Sequence, residues 1–268
     1  MRSLPIAPEL ELVDLALFLP QMRALAIADV HLGIEEAFRD EGVFVPRQHF
    51  PQVQHRLERI FQTLHVTPSE LLHTIIINGD LRHRFGPLSR IEHRESKEFL
   101  RWLASWTEKI ILIEGNHDGS LQRLASSQVA VTKSHQEGNC WFAHGDEALS
   151  SLPHFVGANG RSPLRRGKGG RALTWIVIGH EHPAIGLRDP VTERVEVYKC
   201  FLVGKFRGRN LLVLPSFNQL VRGSDLLKEQ LLSPFVQQSR LEDFFVYPVS
   251  DNGQIYEFGP LHRLLAAV

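Results

Sequence analysis

The sequence predicts a mixed-sheet α/β fold, and three observations carry that expectation. Short apolar runs bounded by turn residues recur along the chain, as buried strands do. Helical periods separate the earlier runs. Beyond residue 126 the helical periods fade and the sequence becomes strand-rich, which favours a mixed sheet over a purely parallel one.

Taken in order, Glu9–Val13 and Leu15–Leu19 read as a strand pair near the N-terminus, followed by a strand at Leu25–Ala28. Phe50, Val53, Leu57, Ile60, Phe61 and Leu64 share one helical face. A strand at Thr74–Ile77 follows. Ile91, Phe99, Leu100, Trp102, Leu103 and Trp106 form the next helical face, with Trp102 and Trp106 expected in the core. Further strands are predicted at Ile110–Ile113, Cys140–Ala143, Thr174–Ile178 and Leu211–Leu214, with a hairpin turn near Gly204 to Gly208. The stretch from Gly157 to Gly170 is Gly-rich, basic and aperiodic, and is expected to be a mobile loop.

The 268 residues, 43% hydrophobic and 22% charged, contain enough apolar material for one large domain spanning 1–268. Thirty basic and thirty acidic side chains balance to zero net charge, which argues against holding nucleic acid by whole-molecule charge. Cys140 and Cys200 lie inside apolar runs and are expected as buried thiols, since two cysteines make no disulfide framework. No apolar run approaches the roughly 20 residues of a membrane helix, and the start, MRSLPIAPELELVDL, lacks a signal-peptide core. A cytoplasmic protein without a membrane partner is expected. The 14 histidines are the unusual number, because histidine is the commonest metal ligand and the usual acid/base near neutral pH.

The polar residues that follow the strands are informative. Leu25–Ala28 leads into Asp29-Val30-His31, Thr74–Ile77 into Asn78-Gly79-Asp80, and Ile110–Ile113 into Gly115-Asn116-His117-Asp118. Cys140–Ala143 leads into His144-Gly145-Asp146, and Thr174–Ile178 into Gly179-His180-Glu181-His182. Loops at strand carboxyl ends converge on one crevice in α/β sheets. In extended chain, residues i and i+2 point the same way, so Asp29 with His31, and His180 with His182, could each form a two-pronged ligand. The glycines before Asp80, Asn116 and His180 allow tight turns and close approach. One D-x-H or G-D alone is an ordinary capped turn; five such turns in order point to a shared metal site. Carboxylate, imidazole and amide without thiolate favour Mn, Fe or Zn.

The order DVH, NGD, GNHD, HGD, GHEH, spanning Asp29 to His182, resembles that of the calcineurin-like metallophosphoesterases. The resemblance implies an α/β (α+β) four-layer sandwich, with two mixed β-sheets packed face to face and helices outside. It implies two divalent metal ions, most simply Mn²⁺ with Fe or Zn as alternatives. Asp29, His31, Asp80 and His182 would hold one ion; Asp80, Asn116, His144 and His180 would hold the second. His117 would meet the substrate phosphate and protonate the leaving group, and Asp118 would orient its imidazole. Hydroxide activated by ions about 3.5–4 Å apart would attack phosphorus in line.

More narrowly, DVHLG, GNHD and GHEHP are similar to the SbcD-type DNA repair nucleases. GDLRH and YKCFLVGKFRGRNLLVLPSFNQL are similar to the small SbcD-related phosphoesterases. The extra domain with which those nucleases select DNA is expected to be absent, so the substrate does not transfer. Phosphodiesters of DNA or nucleotides are the leading expectation. A phosphomonoesterase, a small-nucleotide hydrolase or a non-enzymatic binding module are the alternatives. The nucleases of this kind work with an ATPase partner, and nothing in the sequence reveals one.

Around these motifs, His83 either reaches the substrate side of the site or is a solvent-facing loop histidine. Of its neighbours Arg82 and Arg84, one could contact phosphate, although solvated charge is the plainer account. Arg161, Arg165, Arg166, Lys168 and Arg171 place five cations in the basic loop, where they either attract a polyanion or are simply solvated. Lys199, Lys205, Arg207 and Arg209 repeat that choice around the hairpin. No G-x-S-x-G elbow, GxxxxGK loop or GxGxxG turn is present, which weakens the enzyme classes built on them.

Overall fold

The computed structural model describes residues 2–86, 89–119, 121–147, 174–188 and 191–265. The basic stretch 157–170 and its flanking cations lie outside those residues. Strands β1 (Leu4–Ala7), β2 (Leu10–Val13), β3 (Ala16–Leu19), β4 (Ala24–Ile27), β5 (Leu72–Asn78), β6 (Thr107–Ile113) and β7 (Val129–Thr132) form one sheet in that order. Its first four strands meander antiparallel, and β4 to β7 run parallel. The parallel part needs crossovers: α1 (Ile34–Asp40) and α2 (His49–Thr63) lie between β4 and β5, α3 (Arg90–Leu103) lies between β5 and β6, and a short 3-10 turn at Leu121–Leu124 lies between β6 and β7.

The second sheet contains β8 (Ser134–Glu137), β9 (Cys140–Ala143), β10 (Trp175–Ile178), β11 (Pro183–Arg188), β12 (Val195–Phe206), β13 (Arg209–Val213), β14 (Ser224–Asp225), β15 (Phe245–Pro248) and β16 (Gly259–Pro260). Its main path is β14-β11-β12-β13-β10-β9-β8, and β15 with β16 joins along β12. Strands β9, β10 and β13 are parallel neighbours, so their carboxyl ends share one rim.

Alternation of side chains shows how the sheets pack. Cys140, Phe142, Trp175, Val177, Phe201 and Leu212 join the first sheet, α2 and α3 in one continuous core. The intervening residues Trp141, Ala143, Ile176, Ile178, Leu211 and Val213 face the other way. There they meet Phe235 and Val236 of α4 (Pro234–Gln237) and Leu261 of α5 (Leu261–Leu265). Two mixed sheets lie face to face, with helices packed on them, as expected.

The six apolar runs all became strands, within a few residues of their predicted ends. Helix α3 stops at Leu103 rather than reaching Trp106. The Trp106 amide closes a turn onto the Leu103 carbonyl, and its ring still packs on Phe61 at 4.9 Å. Cys140 and Cys200 are buried free thiols, whose ionisation burial opposes.

Candidate metal centre

The loops that leave β4 and β5 continue to pair after their strands have ended. Asp29 N–H donates to the Gly79 carbonyl, His31 N–H to that of Asp80, and Leu32 N–H to that of Leu81. This zipper sets Asp29, His31 and Asp80 side by side. The second sheet is tied in by the His180 amide, which donates to Asp29 Oδ2 at 3.0 Å, while Gly179 N–H donates to the His144 carbonyl and so links the two second-sheet loops to each other. From the β6 loop, His117 N–H donates to Asp80 Oδ1 at 3.0 Å.

The convergence strains the chain. Asp29, His31, Asp80, His180 and His182 all have left-handed φ, between 44° and 63°, a conformation that costs an L-residue about 1–3 kcal/mol. The predicted glycines make room for ligand side chains. A Cβ at Gly79 would overlap His144 Nδ1, one at Gly115 would overlap Asp80 Oδ1, and one at Gly179 would crowd Asp29 Oδ2.

Two donor clusters result, and Asp80 belongs to both. Asp29, His31, Asp80 and His182 bring one donor atom each within 4.8 Å of one another, as do Asp80, His144 and His180. Asn116 Oδ1 lies 2.9 Å from His144 Nε2, next to the second cluster. His31, His83 and His117 make a third grouping. A cleft of about 310 Å³ opens beside Asn116 and His144, with Lys133 on its wall.

The donors fit cations. His31 Nε2 faces His182 Nε2 at 3.4 Å, and His180 Nδ1 faces His144 Nε2 at 3.1 Å. Asp29 Oδ1 is buried without a hydrogen-bond partner. Imidazole nitrogens aimed at each other beside an orphaned carboxylate oxygen are the arrangement a divalent ion would relieve. Electrostatics agrees. Burial opposes ionisation of Asp29, yet His182, by its charge and its hydrogen bond, leads the histidine contacts that hold the carboxyl at about 2. Burial, then the nearby Asp29 and Asp118 carboxylates, push Asp80 up to about 9. Burial lowers His31 and His144, and takes His180 down to about 4, leaving neutral imidazoles able to coordinate.

Three sequence expectations require correction. Asp118 does not orient the His117 ring. Its buried carboxylate accepts from the amides of Leu81, Arg82 and Gly115, whereas His117 Nδ1 donates to the His83 carbonyl. Arg82 is not solvated: it is fully buried, with one nitrogen donating to the Gly86 carbonyl and another 3.7 Å from Glu92. Lys199 is not a loose cation either, because its ammonium donates to the Ser216 carbonyl at 2.9 Å and to that of Asn218. Arg84 is ion-paired with Asp40 at the end of α1. His83 stands inside the histidine cluster, its Nδ1 3.4 Å from His31 Nδ1.

Sequence reasoning missed the supports behind the ligands. Ser216 Oγ donates to the Asp29 carbonyl, and buried His49 pairs its Nε2 with the Val30 carbonyl while its Nδ1 accepts from Gln219 N–H. Neither follows a spacing rule. The Phe217 amide donates to the Ala28 carbonyl, which brings this segment beside the first ligand motif.

No curated protein matches the sequence significantly. Among solved structures, the crystal structure of Pseudomonas putida nuclease MPE is similar at TM-score 0.59 and 19% identity, over 96% of this chain and 100% of that one. At that identity the likeness concerns the fold alone. Yfce, a phosphoesterase from E. coli, aligns at TM-score 0.38 and 13% identity, over 88% of this chain and 98% of its own. Residues 22–184, more than half of the chain, match the family model of the calcineurin-like phosphoesterases. The chain belongs to the calcineurin-like phosphoesterase family, and is a metal-dependent phosphoester hydrolase.

Proposed function

We propose that the protein is a dinuclear phosphodiesterase acting on nucleic acid or nucleotide esters. The observation that carries this reading is the sharing of Asp80 by two donor clusters. Asp29, His31, Asp80 and His182 would hold one ion, and Asp80, Asn116, His144 and His180 the other, with Mn²⁺ preferred and Fe or Zn able to replace it. Such a pair of ions, when bound, supplies a water of lowered pKa and a Lewis-acid clamp on phosphoryl oxygens.

The chain's own residues do the remaining work. A carbonyl only accepts, so the bond to His83 fixes the His117 proton on Nδ1. His117 Nε2 then points inward, 3.8 Å from Asp80 Oδ2, where its protonated form can donate to phosphate and pass that proton to the leaving oxygen. His31 Nδ1–H would donate to His83 Nδ1, turning Nε2 toward the first cluster, as partners of metal-bound imidazoles do. His83 would thereby orient two histidines, one through its ring and one through its carbonyl. Asp118 holds the Leu81–Arg82 and Gly115 backbones together and acts by position. Arg84, paired with Asp40, is left a minor place in phosphate binding.

Relatedness to SbcD-type phosphoesterases and a cytoplasmic location complete the reading; the buried free thiols suit a reducing compartment. Among the described residues no helix is long and apolar enough to cross a membrane. The test combines elemental analysis with hydrolysis of bis-(p-nitrophenyl) phosphate. Two ions per chain are expected, with turnover falling at least about 100-fold in Asp80→Ala and His117→Ala. A single ion, or metal-loaded protein that cleaves p-nitrophenyl phosphate and no diester, would reject the proposal.

A further inference from the structure

Phe85 is 67% exposed. Its ring centroid lies only 3.8 Å from that of His117, with the planes tilted by 31°. One face of the phenyl ring therefore covers the imidazole, and the ring otherwise meets solvent. Leaving an aromatic ring in water forgoes a large burial gain, so its place at the mouth of a hydrolytic site calls for a ligand. The arginines of the same loop are engaged elsewhere, Arg82 with Gly86 and Glu92, Arg84 with Asp40. At this rim the ligand would meet a π-face more readily than a guanidinium.

We propose that Phe85 is a specificity-determining residue, whose open face stacks on the nucleobase of the ester whose phosphate sits at His117. The inference rests on the phosphodiesterase reading and deepens it. A base is one sugar away from its phosphate, and every base offers a π-face whatever its hydrogen-bonding edge, so the contact would select nucleotides without selecting sequence. The Arg84–Asp40 ion pair tethers the loop to α1 and limits the ring's freedom.

Two esters with the same leaving group isolate the effect: thymidine 5′-(p-nitrophenyl phosphate), which carries a base, and methyl p-nitrophenyl phosphate, which does not. Phe85→Ala should lose about tenfold or more in kcat/KM on the thymidine ester, chiefly through KM, and Phe85→Trp should restore it. On the methyl ester both variants should stay within about twofold of the parent. Equal losses on both esters would make Phe85 a positioning residue for His117 and overturn the proposal. Unchanged kinetics on both would overturn it as well.

Binding separates this outcome from failure of the diesterase reading. A 2-aminopurine mononucleotide and a short single strand carrying the same base are titrated by fluorescence into parent and Phe85→Ala protein. Affinity lost with either probe supports stacking even if no diester is cleaved, and the probe that loses more distinguishes a small nucleotide from a polymer. Equal affinity of parent and variant for both probes rejects it.

Discussion

Lys199 illustrates how a single residue can support the site without touching it. Its ammonium holds the carbonyls of Ser216 and Asn218, and Ser216 Oγ holds the Asp29 carbonyl. Burial, then the Arg56 cation, push its pKa down to about 7. An unfolded lysine titrates near 10.4. Between those values the unfolded chain binds one proton more than the folded one, so this group makes stability rise with pH from about 7 to about 10. Below pH 7 both states are protonated and the burial cost stands in full. Lys199→Met should flatten that slope in urea melts across the window, by a few kcal/mol in all. The sequence does not disclose this role, because YKCFLVG is an apolar run with a cation at a position whose neighbours only the tertiary fold supplies. Arg82 eluded inference for the same reason. By contrast, Asp29, Asp80, Asn116, His117, His144, His180 and His182 stood out because each lies just past an apolar run.

At the scale of elements, α3 is tied to the site through its cap. Ser89 Oγ accepts from Glu92 N–H, and Glu92 Oε2 accepts from Ser89 N–H in return. Glu92 Oε1 also accepts from the Arg84 amide at 3.0 Å, and Ser89 Oγ donates to Glu36 of α1. Ser89→Ala should cost about 1 kcal/mol in chemical denaturation. The helices α2 and α3 and the apolar strands were legible because their periodicity is local. Helix α1 was not, since IEEAFRD offers scarcely two turns of pattern. Edge strands such as β8, with no buried residue, and the long β12, exposed at its start and buried further on, carry no uniform alternation to read. The left-handed φ of five site residues was equally hidden, because aspartate and histidine do not announce strain as glycine does.

At the scale of the whole molecule, the two donor clusters draw on both sheets. Asp29, Asp80 and Asn116 follow strands of the first sheet, and His144, His180 and His182 follow strands of the second. Ions bound there would connect the sheets as well as serve chemistry. At about a thousandfold excess over its dissociation constant, such a ligand stabilises the fold by about 4 kcal/mol. For a chain of this size that is roughly 10 °C in melting temperature. Chelation should lower the transition by that amount, and re-addition of Mn²⁺ should reverse it, as followed by calorimetry. A further consequence concerns damaged or half-folded molecules. Neither sheet alone carries a complete donor set, so a chain that loses one sheet's packing loses the ions at the same moment. Partly folded copies should be silent rather than indiscriminate hydrolases, a built-in safeguard for any cell that houses such an activity.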